Sequence, residues 1–229
     1  MAVVITNTDV EYYIDGKNLK DYSVYVSSSQ GLVGRLARKD ALSVEWDGYH
    51  GICRDKARPV YKERTITLEC FIQAESRAAY VDKVNAFFGL FDGAGNHRLK
   101  VEYDGQNKPL VYEVELHEDA DPTKTWGKYN SDTMIGKFKL KLIEDEPVKK
   151  VLRFTATTTA NKANINVTSA KLLTVYWGDG THTANVYGTN KEITHTYSHT
   201  GTYEIVIAGV IEDITNLSTN ATIVWNLLK

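Results

Sequence analysis

The sequence predicts a mainly β protein, in which a β-rich N-terminal part with one amphipathic helix over a sheet is followed by a small β-sandwich. Three observations support this prediction. Apolar and polar residues alternate in several short segments, as expected for strands with one buried face. Only one segment has helical periodicity, and a strong hairpin signal at residues 175–181 is followed by another alternating strand at residues 195–207.

The N-terminal strands are predicted from this alternation. The clearest lies at residues 134–142, where apolar residues point one way and lysines point to water. A second, at residues 64–72, places Cys70 and its apolar neighbours on one face. Further strands are predicted at residues 1–7, 22–26, 42–46, 99–103 and 111–116, with a turn at Asp47-Gly48.

The helix is predicted at residues 76–91. Ser76 belongs to the residue types that cap helix N-termini, and Gly93 is a natural stop after the last turn. Between them, apolar residues recur at helical spacing and share one face, which we expect to pack on the sheet. These residues are Tyr80, Val84, Phe87, Phe88 and Phe91.

The C-terminal hairpin signal is the sequence W-G-D-G-T at residues 177–181. Asp179-Gly180 stands between an apolar strand and a Thr-rich one, and both residue types tolerate positive φ, so we predict a tight two-residue turn. The second half of the pattern, at residues 195–203, places His, Tyr, Gly and Tyr at H-x-Y-x-x-x-G-x-Y spacing.

These two halves together resemble the PKD-type repeat, an immunoglobulin-like module, over residues 151–208. The resemblance implies an immunoglobulin-like β-sandwich whose usual work is presentation and contact. It gives structural roles to Trp177, Asp179, Gly180, His195, Tyr197, Gly201 and Tyr203.

The chain is expected to divide at Pro147 into domains 1–147 and 148–229. The run Glu144-Asp145-Glu146 before this proline is interpreted as a solvated, charged linker, since proline cannot continue a strand ladder. Contacts across such joints are generally few and polar. We therefore expect two separately folded units.

A polar segment without periodicity, residues 117–133, is expected to be a long loop. Loops of this length in compact domains are often functional. Trp126 and Tyr129 lie in it without any pattern that places them in a core, so they are candidate contact residues. The alternative is that they fold back onto their own domain.

The order of the N-terminal elements resembles the ring-forming domain of phage distal tail (baseplate hub) proteins and related tail-tube folds, over residues 20–147. The resemblance rests on R-x-I-x-L-x-C-x-I at residues 64–72, F-F-G-L-F at residues 87–91 and G-K-F-K-L-K-L-I-E-D-E-P at residues 136–147. It implies a split β-barrel with one flanking helix that closes into a hexameric ring. Residues 36–61 depart from this pattern, because no strand can be placed there securely.

Composition and motifs argue against several other classes. The net charge of −2 gives no basic footprint for nucleic acid, and no segment reaches the roughly 20 apolar residues of a membrane span. Cys53 and Cys70 have no metal-ligand spacing, and a disulfide between them is the less favoured alternative to Cys70 as a core residue. His195 and His199 would lie about 13 Å apart along a strand, too far to share a metal. No catalytic motif is present, so we predict no enzyme, no cofactor and no metal.

The resemblances favour a structural assembly protein of a phage or prophage tail tip. It would form a hexameric ring, display its immunoglobulin-like module, and reside in the virion after assembly in the bacterial cytoplasm. Expected partners are further copies of itself, other tail proteins and a host-surface glycan or protein. The alternative is a bacterial binding or adhesion protein that contacts a glycan or protein through the PKD-like module.

Overall fold

The computed structural model describes residues 10–57, 59–103, 107–118, 120–126, 134–158 and 161–229, without the side chains of residues 125 and 126. Within these ranges the chain forms sixteen strands and one α-helix, which confirms the predicted mainly β fold. The strands are β1 (Glu11–Ile14), β2 (Lys17–Asn18), β3 (Val24–Gln30), β4 (Ser43–Val44), β5 (Cys53–Arg54), β6 (Arg64–Ala74), β7 (His97–Glu102), β8 (Leu110–Leu116), β9 (Thr123–Trp126), β10 (Met134–Glu144), β11 (Lys149–Ala156), β12 (Lys162–Tyr176), β13 (His182–Thr196), β14 (Gly201–Gly209), β15 (Ile214–Thr219) and β16 (Thr222–Leu228). The helix is α1 (Arg77–Phe88).

The N-terminal sheet has the antiparallel order β2-β1-β7-β8-β10-β6-β3, and β9 pairs with β10. Strands β6 and β10 pair along their whole length, whereas β8 and β10 share only two residue pairs. The sheet therefore divides between β8 and β10. Buried residues from both parts form one core, in keeping with a split barrel or sheet.

Helix α1 packs over β6 and β10. Its N-terminus is capped as predicted, because the Ser76 hydroxyl accepts a hydrogen bond from the Ala79 N–H at 3.2 Å. The α-helix ends at Phe88, and one tighter turn, Gly89–Phe91, completes the predicted segment. The ring of Phe87 lies 5.7 Å from that of Phe138 on β10, so the predicted apolar face meets the sheet.

The C-terminal residues form a second sheet of order β13-β12-β14-β11-β16, with β15 beside β12. The long strand β12 pairs with β15 through its first half and with β14 through its second half, while β13 follows its other edge. Strand β12 thus belongs to two layers, which enclose one apolar core. We refer to β11–β16 as the C-terminal sandwich.

Strand β14 is buried on both faces, which joins the sandwich to the N-terminal core. Ile205 and Ile207 lie in the sandwich core, and Val206 and Ala208 lie in the N-terminal core. Val224 and Leu228 of β16 also enter the N-terminal core. The expectation of few, polar contacts at the joint is therefore wrong. Alternate residues in the second half of β14 are apolar and pack into the N-terminal core, so the contact between the two parts of the chain is largely apolar.

The charged residues before Pro147 form a short connection between β10 and β11 and not a solvated linker. Glu144 is 1% exposed and is paired with Arg64 and Lys149, and only Asp145 of the three acidic residues is exposed. Burial raises the pKa of Glu144, against the opposing effect of its two cationic partners. The sequence shows the acidic run but gives no sign that Arg64 reaches it.

The remaining strand predictions differ in detail. Strands are confirmed near residues 22–26, 64–72, 99–103, 111–116 and 134–142. The strand predicted at residues 42–46 shrinks to β4, and the predicted first strand at residues 1–7 lies outside the described residues. The predicted loop 117–133 is wrong in part, since it contains β9, whose four residues are too few to show periodicity.

Candidate functional site

The first candidate site is the aromatic turn motif, the residues of the W-G-D-G-T turn and the strand that answers it. The Trp177 N–H donates to the Thr181 carbonyl oxygen at 2.9 Å and closes a three-residue loop. Positive φ occurs at Gly178 (94°) and Gly180 (86°), with Asp179 between them outside that region. The hairpin is present, but the predicted two-residue Asp179-Gly180 turn is wrong. Gly178 is needed because an added Cβ would lie 2.8 Å from the Glu204 carbonyl oxygen.

The aromatic residues of this motif form a continuous stack. The Trp177 ring is buried and lies parallel to the His195 ring, with centroids 4.9 Å apart. Tyr197 meets His195 edge-on and stacks on Tyr203 with centroids 3.9 Å apart. Gly201 begins β14, and a Cβ there would make ordinary contact with the Tyr203 ring. The structure therefore brings the predicted motif residues together at one end of the sandwich.

The polar atoms of the turn are bonded to one another. Asp179 accepts hydrogen bonds from the Thr181 N–H (3.1 Å) and hydroxyl (2.6 Å), and its other oxygen lies 2.7 Å from His195 Nε2. Partial burial opposes ionisation of Asp179, but these hydrogen bonds outweigh it and lower the pKa of the carboxyl. The arrangement stabilises a turn and leaves the carboxylate engaged.

The two histidines weighed as metal ligands have separate partners. His195 bonds to Asp179, whereas His199 Nδ1 lies 2.9 Å from the Ser198 hydroxyl. Cys53 and Cys70 are both free, the first exposed and the second buried. Burial raises the pKa of the Cys70 thiol to about 12.

The second candidate site is a hairpin arm, residues 37–60, in the segment where no strand can be placed securely from the sequence. Backbone hydrogen bonds join Lys39 to Val60 (2.9 Å) and Asp55 to Leu42 (2.9 Å), and β4 pairs with β5 beyond them. The Tyr49 N–H donates to the Trp46 carbonyl oxygen at 3.1 Å across the predicted Asp47-Gly48 turn. Eight residues per strand at ~3.3 Å each give the arm a reach on the order of 25 Å.

The described residues of the arm are not buried against their own protomer. Every described residue from 37 to 60 is exposed, and the tip carries Trp46 (63% exposed) and Tyr49 (74% exposed). Residues 35–62 hold seven Lys or Arg against four Asp or Glu, whereas the rest of the chain holds 20 against 25. The sequence signal for this site was the turn between two aromatic residues, but nothing in it showed that the flanking strands leave the core.

Of the predicted contact residues Trp126 and Tyr129, the structure describes only the backbone of Trp126. The backbone of Trp126 ends β9 and pairs with Met134 on β10. Tyr129 lies outside the described residues. Their role in contact stays a prediction.

A third feature is a cleft of about 920 Å³ between the N-terminal sheet and the aromatic turn motif. Asp15, Arg98 and Lys100 line one wall, and Asp179 and Tyr203 are on the other. The Arg98 guanidinium bridges the walls, since it is paired with Glu113 and donates to the Glu204 carbonyl oxygen. Charged side chains of both signs and aromatic rings from the sandwich line the cleft.

No helix in the described ranges combines the length and the apolar character needed to cross a membrane.

The sequence matches neither a known protein family nor a curated protein. Its fold matches a solved structure, the crystal structure of the SPP1 Dit (gp 19.1) protein, described as a paradigm of hub adsorption apparatus in Gram-positive infecting phages. The TM-score is 0.50 over 92% of this chain and 96% of that chain, with 12% sequence identity. The likeness is therefore one of fold, and coverage this wide includes the C-terminal sandwich as well as the N-terminal sheet.

Proposed function

We propose that this chain is a structural assembly protein of a phage or prophage tail tip, which closes into a ring through its arm and displays its C-terminal sandwich. The shared fold with a phage hub protein supports the tail assignment. The resemblance of residues 20–147 to distal tail proteins implies six copies, assembled in the bacterial cytoplasm and retained in the virion. Residues 1–147 and 148–229 are then two domains joined through strand β14, whose alternate residues belong to the two cores.

The arm is the observation that carries this proposal. Large exposed apolar patches mark interaction sites, and Trp and Tyr are the usual anchors of interfaces. Because every described residue from 37 to 60 is exposed, the arm's partner lies outside the protomer. The excess of basic residues in residues 35–62, the arm with its two flanks, and of acidic residues elsewhere favours a second copy of the chain as that partner. A head-to-tail contact of this kind closes into a ring when the rotation between copies fits.

The test compares the wild type with the double variant Trp46→Ala, Tyr49→Ala at the arm tip. We expect the wild type to form rings at high concentration, seen by light scattering and negative-stain imaging, and the variant to stay monomeric. Tyr187→Ala is the matched control, since Tyr187 is 58% exposed on the sandwich and should assemble normally. Assembly of the tip variant at the wild-type concentration would contradict the arm's role. A wild type that stays monomeric at all concentrations, even with the products of neighbouring genes, would contradict the ring.

A second candidate function is recognition of a host-surface saccharide, and the cleft favours it. Ligand sites of roughly 300–1,000 Å³ occur preferentially between domains, with a few polar groups placed to orient the ligand. Here acidic and basic side chains lie beside the rings of Tyr176, His182 and Tyr203. Such a mixture suits a polyhydroxylated ligand.

This second function is tested by titrating cell-wall saccharides of the host into the protein. His182 is exposed and lines the cleft, so His182→Ala should weaken binding at least tenfold, while Tyr187→Ala should not change it. Absence of binding by the wild type, or equal binding by His182→Ala, would remove the saccharide proposal and leave the ring proposal untouched.

A further inference from the structure

Three charged residues form a cluster in the interior of the protein. Arg64, Glu144 and Lys149 are 4%, 1% and 0% exposed. Arg64 Nε lies 3.1 Å from one carboxylate oxygen of Glu144, and the Lys149 ammonium bonds to the other. Tyr112 contributes its ring, 4.4 Å from Lys149 Nζ. Two cations share one carboxylate here, and burying such a group is costly unless its hydrogen bonds are well placed.

The cluster also binds the chain where it leaves β3 for the arm. Arg64 Nη1 donates to the carbonyl oxygens of Gly31 (2.7 Å) and Leu32 (3.1 Å). The Tyr112 hydroxyl donates to the same Leu32 oxygen at 2.5 Å. Gly31 has a φ of 83°, and an added Cβ would lie 2.1 Å from the Thr65 carbonyl oxygen, so the backbone is pressed against β6 at this point. We refer to residues 31–36, between β3 and the arm, as the arm root; it is therefore fixed at its start.

The same contacts connect the arm to the C-terminal sandwich. Lys149 is the first residue of β11. On the returning side of the arm, the ammonium of Lys229, which follows β16, lies 4.7 Å from the centre of the Tyr61 ring. The residues that flank the arm, Gly31 and Leu32 before it and Tyr61 after it, are thus in contact with a side chain from the sandwich or with a residue bonded to one.

We propose that the Arg64–Glu144–Lys149 cluster is a bracket that holds the arm at a fixed angle to the C-terminal sandwich. Arg64 is the positioning residue, since it bonds both to the arm root and to the carboxylate shared with Lys149. One consequence rests on the proposed function: if the arms close a ring, every sandwich in the ring faces the same way. The bracket itself exists in the single protomer and does not require the ring.

The experiment measures the angle of the arm in dilute, monomeric protein. Spin labels on the natural Cys53 in the arm and on a cysteine introduced by Ser218→Cys on β15 give a distance distribution by pulsed electron resonance. Cys70 is buried, with its pKa raised to about 12, and stays unlabelled. Arg64→Met removes the bonds to Gly31 and Leu32 but leaves the Glu144–Lys149 pair balanced. Arg153→Met is the matched control, because Arg153 also pairs with a glutamate, at 3.3 Å, and bonds Asn107 across the boundary, while none of these bonds involves the arm root.

We expect a narrow distribution in the wild type and in Arg153→Met, and one at least twofold wider in Arg64→Met. Tyr112→Phe, which loses only the hydrogen bond to Leu32 and should fold in any case, should give an intermediate width. Equal widths in the wild type and Tyr112→Phe, together with an unchanged or unfolded Arg64→Met, would overturn the bracket. A broad distribution in the wild type would do the same. Ring formation is measured separately, so a fixed arm without rings would contradict the proposed function and not the bracket.

Discussion

At the scale of single residues, the aromatic turn motif is satisfied by its own bonds. The indole N–H of Trp177 donates to the Thr183 hydroxyl at 2.9 Å, and the Tyr197 hydroxyl donates to the Trp177 carbonyl oxygen at 2.8 Å. Burial raises the pKa of Tyr197, which keeps this hydroxyl protonated as a donor. Side chains that recognise a ligand need free polar atoms, and here they are engaged inside the protein. The polar atoms of the motif therefore hold the hairpin, and its aromatic contribution to the cleft is the ring of Tyr203.

Two Trp→Ala substitutions separate stability from assembly. Trp177 is 1% exposed and Trp46 is 63% exposed. Removing a buried aromatic ring costs about 3–5 kcal/mol, so Trp177→Ala should lower the Tm of the full chain on the order of 10 °C. Trp46→Ala should leave the Tm within about 1–2 °C and weaken ring formation. Calorimetry and light scattering on both variants check this. If Trp177→Ala weakened ring formation without lowering the Tm, and Trp46→Ala lowered the Tm without affecting the rings, Trp177 would be a recognition residue.

The Asp179 carboxylate makes the turn sensitive to acid. Because the pKa of Asp179 is lowered in the folded protein, its ionised form contributes stability above its ordinary value near pH 3.9, and the contribution is lost as the pH falls through the folded pKa. Asp179→Asn should cost about 1 kcal/mol at pH 7, roughly 2–4 °C in Tm. Thermal melts at a series of pH values should show this difference shrinking below about pH 4. If the difference in Tm between the wild type and Asp179→Asn stayed constant down to pH 3, the charge of Asp179 would not contribute to stability.

At the scale of elements, the sequence predicted what is periodic and local. Helix α1, its Ser76 cap and strands β6 and β10 follow from alternation and capping chemistry. The apolar run at residues 205–208 was interpreted as one alternating face, although four consecutive apolar residues also indicate a strand buried on both sides. The arm was missed for the opposite reason, since exposed strands that pair only with each other need no apolar face. The buried cluster was missed because Arg64 and Glu144 meet only through the β6–β10 register.

The close packing of helix α1 on β10 depends on a glycine, Gly136. A Cβ at Gly136 would lie 2.1 Å from the Tyr80 hydroxyl oxygen, and that oxygen is buried with no hydrogen-bond partner among the described residues. Gly136→Ala should therefore destabilise the protein by about 1–3 kcal/mol through overpacking. Tyr80→Phe should be close to neutral and should recover part of this loss in the double variant. Denaturant unfolding of the wild type, the two single variants and the double variant gives the coupling free energy between positions 80 and 136. If the two changes in unfolding free energy were simply additive, α1 would be free to shift away from Gly136.

At the scale of the whole molecule, the sheet β14-β11-β16 is a middle layer between two cores. Successive residues along its strands point to opposite faces. One face completes the N-terminal core, and the other closes the core of the sandwich. The polar pairs Glu144–Lys149 and Arg153–Glu204 lie along the same boundary. Two cores that share a layer lose apolar burial together, so the domains are expected to unfold in one cooperative step.

Limited digestion with trypsin tests this rigidity. Proteases cut chain that is exposed and held by few bonds, and the arm offers basic residues at positions 38, 39, 54 and 56, all exposed. Lys149, Lys150 and Arg153 lie in or beside the joint, but they belong to β11, which is paired on both edges with β14 and β16. We expect mass spectrometry of the earliest products to find cuts within the arm well before any cut at residues 149–153. Early release of a 150–229 fragment would show instead that the two halves are separate units with an open linker, and that the middle layer does not hold them together.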